Sequence, residues 1–193
     1  KAAMSEGKAV VTSYRVVVRD GWYNGMTDLA LWKNYYWLTY RRSTGHVSSL
    51  NVLDDNEFGG LQVPNTYGGN SFVVLLRSTD LLRWHEAEVF TPPDGVVDKS
   101  GIANGHFCVT DNRLYAFTPV QTPTDNGIFG RLYCTWTENG VKWTEPEIVK
   151  MGETYPYTFR VRNYDNKFYS AITCDQSLLL ITSKDGKNWE LHS

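Results

Sequence analysis

Ser183-Lys184-Asp185-Gly186-Lys187-Asn188-Trp189, directly after the apolar run Leu178-Leu179-Leu180-Ile181, is the last of three copies of one pattern. Thr137-Glu138-Asn139-Gly140-Val141-Lys142-Trp143 follows Leu132-Tyr133-Cys134-Thr135-Trp136, and Ser78-Thr79-Asp80-Leu81-Leu82-Arg83-Trp84 follows Phe72-Val73-Val74-Leu75-Leu76. Each reads Ser/Thr, one spacer, Asp/Asn, three spacers, Trp. A short polar side chain can hydrogen-bond backbone amides across a tight turn, and Gly140 and Gly186 tolerate positive φ. The tryptophan opens the next strand, with its ring placed to pack on a neighbouring sheet.

A second repeat lies upstream of each turn: Lys33-Asn34-Tyr35-Tyr36-Trp37, Asp111-Asn112-Arg113-Leu114-Tyr115 and Asp165-Asn166-Lys167-Phe168-Tyr169. Each is a polar hairpin with Asn, followed by apolar or aromatic strand residues. The order is strand, Asn turn, strand, loop, strand, Asp turn, strand, three times over. That is the four-stranded antiparallel meander of a propeller blade. The fold class expected is all-β, a partial β-propeller of about three blades in a single domain. Blade one takes residues 26–90, blade two 101–149 and blade three 155–193. Residues 9–19, rich in valine, read as one extra strand.

Composition supports an all-β chain: aromatics make up 14% of the residues, and no long segment shows a helical period. A formal net charge of −2 speaks against a nucleic-acid partner. No apolar run nears the roughly 18 residues of a membrane span, and no signal-like segment opens the chain. Lys1 reads as a processed or trimmed terminus. Cys108, Cys134 and Cys174 lack metal-ligand spacing and read as buried free thiols. No cofactor or metal is expected. Propellers close with four to eight blades. Three blades therefore leave open edges, and two explanations stand: a piece of a five- or six-bladed protein, or a homodimer completing a six-bladed ring.

Meander topology puts the Asn and Asp turns on one face, where they serve structure. The opposite, loop face collects residues 19–28, 41–71, 91–106, 118–130, 150–160 and 173–177, and rigid scaffolds tend to carry function on such loops. The insertion from Val47 to Asn70 is the longest, and it holds Asp54, Asp55 and Glu57 without EF-hand spacing.

The Asp turns resemble the Asp boxes (BNR repeats) of sialidase-like propellers. Met26-Thr27-Asp28-Leu29 through Tyr40-Arg41-Arg42-Ser43-Thr44-Gly45-His46 is similar to a blade-one pattern of that group, and Phe159-Arg160-Val161 to an arginine-bearing strand. The resemblance implies a glycoside hydrolase in which arginines hold a sugar carboxylate and an acid protonates the leaving group. A secreted or periplasmic location would go with it, although the residues themselves leave the compartment open. Ser78-Thr79-Asp80-Leu81-Leu82-Arg83-Trp84 is also similar to a turn of five-bladed glycosidases acting on arabinans, xylosides and fructans. Those use one acid from the opening of each of the first three blades. Asp20 or Asp28 would serve for blade one and Glu153 for blade three, whereas blade two offers Asn104 where an Asp is expected. An amide cannot exchange the proton that acid–base catalysis needs.

The candidate catalytic residues are thus Asp28 and Glu153. Arg41 and Arg160 are candidates for a bidentate carboxylate clamp, with bridges to nearby Asp residues as the plainer role. His46, Asn104, Trp22 and Tyr157 complete the candidate sugar-binding set, the aromatics being equally suited to filling space between blades. His106 reads as a packed, hydrogen-bonded strand residue. A carbohydrate, with acidic sugars among the candidates, is the expected partner. Three functions follow: a sialidase-like glycosidase or its first three blades, a non-catalytic carbohydrate-binding module, and an assembly protein whose edges pair with another chain.

Overall fold

A computed structural model of the chain describes residues 14–43, 71–91, 101–102, 104–124, 127–156, 158, 160–174 and 177–192. The described residues form thirteen strands in three antiparallel sheets and no helix. Blade one is β1 (Tyr23–Trp32), β2 (Tyr35–Ser43), β3 (Ser71–Ser78) and β4 (His85–Phe90), paired in that order. In blade two, β5 (Gly101–Ile102) and β6 (His106–Val109) both pair with β7 (Leu114–Thr124), followed by β8 (Gly127–Thr137) and β9 (Glu147–Ile148). Blade three is β10 (Val161–Tyr164), β11 (Lys167–Cys174), β12 (Ser177–Ser183) and β13 (Trp189–Leu191). The partial propeller read from the repeats is the observed architecture. The extra strand expected over 9–19 falls partly outside the described residues, and residues 14–19, which are described, form no strand.

The three Asp turns share one hydrogen-bond scheme. Ser78, Thr137 and Ser183 each accept at their hydroxyl from two backbone amides, the nearer contacts being Leu81 N, Gly140 N and Gly186 N at 2.9 Å. Asp80, Asn139 and Asp185 each accept at Oδ1 from the amides two and three residues further on. The residue with positive φ occupies the same place in each turn: Leu81 at 61°, Gly140 at 72° and Gly186 at 80°. Leucine bears the left-handed conformation in blade one without a glycine's freedom. The Asn turns of blades one and three are two-residue hairpins with both central residues at positive φ. Blade two closes with a wider loop instead, Val109 pairing Leu114 and Thr110 N donating to Arg113 O.

Two apolar interfaces hold the blades together. Trp37, Val73, Leu75 and Phe90 of blade one pack with Phe107, Leu114, Ala116 and Tyr133 of blade two. Trp143 meets Trp37 and Phe90 edge-on there, the packing expected of a turn tryptophan. Cys108, Tyr115, Phe117 and Cys134 of blade two pack with Val161, Phe168, Ile181 and Trp189 of blade three. Cys108 and Cys134 are buried free thiols, and burial pushes the Cys108 thiol up to about 12.

Candidate functional site

Counting from the turn hydroxyls aligns the three blades residue by residue. Ser78, Thr137 and Ser183 pair across the sheet with Tyr36, Leu114 and Phe168. Three residues on, Thr39, Phe117 and Ala171 occupy one equivalent level. Asp28 lies opposite Thr39 and His106 opposite Phe117. Arg160, next to the last paired residue Val161, falls opposite Ala171 when the register is continued. Asp28, His106 and Arg160 are therefore the same position in three successive blades.

The innermost strands all lose regularity at this level. In blade one, Gly25 pairs Arg41 and Asp28 pairs Thr39, so Met26 and Thr27 together face a single residue. Met26 takes φ of 55° in this bulge. Asp28 shares a face with Thr39 and Arg41 through the register set by the hairpin, and the bulge brings Gly25 onto that face as well. In blade two the break lies between Ile102, opposite Val120, and His106. Asn104 sits in that break, half-buried, two residues before the aligned position. In blade three, Arg160 precedes the first strand.

The geometry then converges. Asp28 Oδ1 is 2.5 Å from Arg160 Nη1, the carboxylate being 13% exposed and the guanidinium 52%. Asp28 Oδ2 accepts from Phe107 N at 2.9 Å. A single carboxylate thus joins all three blades near the axis. His106 is 1% exposed, lies parallel to Phe117 at 5.5 Å, and finds no hydrogen-bond partner for either ring nitrogen among the described residues. Burial brings its pKa down to about 3, opposed by the charge of Asp28 and aided by Arg160 and Arg162. The ring is neutral at ordinary pH.

The other candidates are placed as follows. Arg41 is buried on the same sheet face as Asp28, with its guanidinium 5.5 Å from the Tyr23 ring centre. Arg160 has the Asp partner of its plainer role. Trp22 is partly exposed and meets Phe72 edge-on at 6.3 Å. Glu153 stands in an exposed turn closed by Met151 and Thr154, next to the bridge from Lys150 to Asn188 of the third Asp turn. Asp20, the alternative blade-one acid, is bound to Arg42 at 3.0 Å and to Asn24 at 2.7 Å. His46, Tyr157 and the insertion with Asp54, Asp55 and Glu57 lie outside the described residues. No group of three His, Cys, Asp or Glu with metal-binding geometry occurs among the described residues. The Phe107 amide leaves no mark in the sequence, and His106 is packed as expected but without the expected hydrogen bond among the described residues.

A family model for the glycosyl hydrolases family 32 N-terminal domain matches residues 64–193. No curated protein matches the sequence. Among solved structures, Zg3597, a family 117 glycoside hydrolase of the marine bacterium Zobellia galactanivorans, superimposes with a TM-score of 0.61 at 14% identity, over 96% of this chain and 50% of its own. A mutant of Trypanosoma rangeli sialidase displaying trans-sialidase activity gives 0.55 at 11% identity, over 87% of this chain and 30% of its own. The Bombyx mori GH32 beta-fructofuranosidase BmSUC1 gives 0.51 at 15% identity, over 91% and 37%. The chain spans half or less of the length of each. At these identities the likeness is one of fold.

Proposed function

The chain belongs to the glycosyl hydrolases family 32 N-terminal domain family, and on that premise we propose that it carries part of a glycosidase site on the loop face near the axis, with Asp28 as the working carboxylate. The observation that carries this reading is the anchoring of Asp28 by Phe107 N and Arg160, which fixes the carboxylate across three blades. Such rigidity is what a base or nucleophile facing an anomeric carbon needs. A second carboxyl group must protonate the leaving oxygen as the C–O bond breaks. Glu153 is the candidate the sequence offers for it, although it stands beside the third Asp turn and has no contact with Asp28 among the described residues. Furanosides of the fructan type are the first substrate class. A sialidase-like role on acidic sugars is the second reading, favoured by the half-exposed Arg160 guanidinium beside Asp28.

The test is a panel comprising sucrose, 4-nitrophenyl furanosides and pyranosides, and a 4-methylumbelliferyl sialoside. Turnover of one class that drops about 100-fold or more in Asp28→Asn supports the reading. Identical behaviour of wild type and Asp28→Asn across the whole panel overturns it. Glu153→Gln tests the acid in the same assay.

A further inference from the structure

We infer that Thr158 and Ser170 are positioning residues that hold the backbone of Arg160, and with it the guanidinium that meets Asp28. The inference rests on the reading of Asp28 and Arg160 as the working centre. Regular pairing between β10 and β11 ends at Val161 and Ser170. Arg160 lies just outside it, where its backbone groups have no ladder to enter. Side chains take over there. Ser170 Oγ donates to Arg160 O at 2.6 Å, and Arg160 N donates to Thr158 Oγ1 at 3.4 Å. Thr158 Oγ1 also lies 3.3 Å from Arg160 O and 3.2 Å from Ala171 O, and it hydrogen-bonds Ser170 Oγ. Thr158 and Ser170 are both buried.

The blade alignment separates this arrangement from ordinary sheet structure. Two residues past Tyr36, Leu114 and Phe168, the positions equivalent to Ser170 are Leu38, Ala116 and Ser170 itself. Only the blade that delivers the arginine carries a hydroxyl there. A buried hydroxyl is unfavourable unless hydrogen-bonded, so its presence at an otherwise apolar position points to the backbone it serves. Ser170 and Val161 face blade two, and both hydroxyls bond the Arg160 main chain. The pair therefore acts on Arg160 through its main chain and does not touch a ligand.

The experiment needs no substrate. Phenylglyoxal modification of the full chain, resolved by peptide mass spectrometry, reads how firmly each guanidinium is held. Arg162, in the same segment and bonded to Val161 O, is the internal reference. Ser170→Ala and Thr158→Val are expected to raise the Arg160 rate relative to Arg162 by about threefold to tenfold, the range set by one lost hydrogen bond. Ser170→Thr and Thr158→Ser should restore it. Asp28→Asn must also raise it, because it removes the charge partner. An unchanged Arg160-to-Arg162 ratio in both Ser170→Ala and Thr158→Val, with Asp28→Asn responding, would overturn the positioning role and leave the glycosidase reading standing. The expected ratios alongside a panel without turnover would sink only the glycosidase reading.

Discussion

Asp28 Oδ1 lies 2.5 Å from Arg160 Nη1, yet the two partners stand in different solvents: the carboxylate is 13% exposed and the guanidinium 52%. The carboxylate also satisfies a backbone amide of the neighbouring blade, Phe107 N, at 2.9 Å. Losing either side of the pair should therefore cost different amounts.

Asp28→Ala leaves the Phe107 amide without its acceptor and is expected to cost about 1–3 kcal/mol of unfolding free energy. Arg160→Ala removes only a half-exposed partner and should cost under about 1 kcal/mol. Asp28→Asn, whose amide oxygen can still accept, should lie between them. Urea denaturation of the three variants measures the ranking, and equal losses for Asp28→Ala and Arg160→Ala would contradict it.

His106 sets an acid limit. Its folded pKa of about 3 lies below the ordinary value of 6.5, so the unfolded chain binds the extra proton first. The contribution of the neutral ring is complete above pH 6.5 and is lost as pH falls toward 3. Between pH 6.5 and 4.5, His106 alone should remove about 2 kcal/mol of stability. Phenylalanine at the same place cannot titrate and would continue the stack on Phe117. The His106→Phe variant should flatten the curve over that interval, and a slope as steep as that of the wild type would rule out His106 as its source.

The blades were legible because a turn that satisfies its own amides with Ser/Thr and Asp/Asn leaves a fixed-spacing signature in the sequence. The axial centre was legible only in part. Asp28 and Arg160 are charged residues near strand openings, but their meeting joins blades one and three, and no local motif marks a contact between blades. Asn104 stands where the resemblance to five-bladed glycosidases expects the blade-two acid. The pairing of Val109 with Leu114 sets the register of β6, and counted from it His106, not Asn104, falls at the level of Asp28. Thr158 and Ser170 were invisible for a related reason, since their role is defined by where strand pairing ends.

The Asp turns differ in pH response although they share geometry. Burial raises the pKa of Asp185, but donors from Asn188, Lys187 and Ser183 outweigh it and bring the group down to about 2. Because the folded value is depressed, the stability from this carboxylate is present above the unfolded pKa near 3.8 and is lost as pH falls toward 2. Asp185 is largely exposed, so screening reduces the effect to about 1 kcal/mol. Asn139 accepts the corresponding amides of Val141 and Lys142 at 2.9 Å with no charge to lose. Asp185→Asn should therefore keep the turn while removing its share of the acid sensitivity. Thermal melts at pH 7 and pH 2.5 test this, and a variant that melts far below wild type at pH 7 would mean that the charge, not the acceptor, holds the turn.

Leu178 and Leu180 occupy the positions of Val73 and Leu75 in blade one and of Leu132 and Cys134 in blade two, counted back from the turn hydroxyls. Those four are buried against the next blade, whereas Leu178 is 73% and Leu180 46% exposed. On blade one, Leu29 and Leu31 are likewise exposed on the face turned away from blade two. Apolar burial contributes about 25 cal/mol per Å², so two such faces gain by covering each other. If two chains close a six-bladed ring, blade three of each covers blade one of the other, and light scattering should give twice 22.0 kDa. Leu178→Glu with Leu180→Glu should then return the mass to 22.0 kDa without loss of the β-sheet circular dichroism signal. A wild-type mass of 22.0 kDa at all concentrations would discard the two-chain ring, and a double variant that still pairs would place the contact elsewhere.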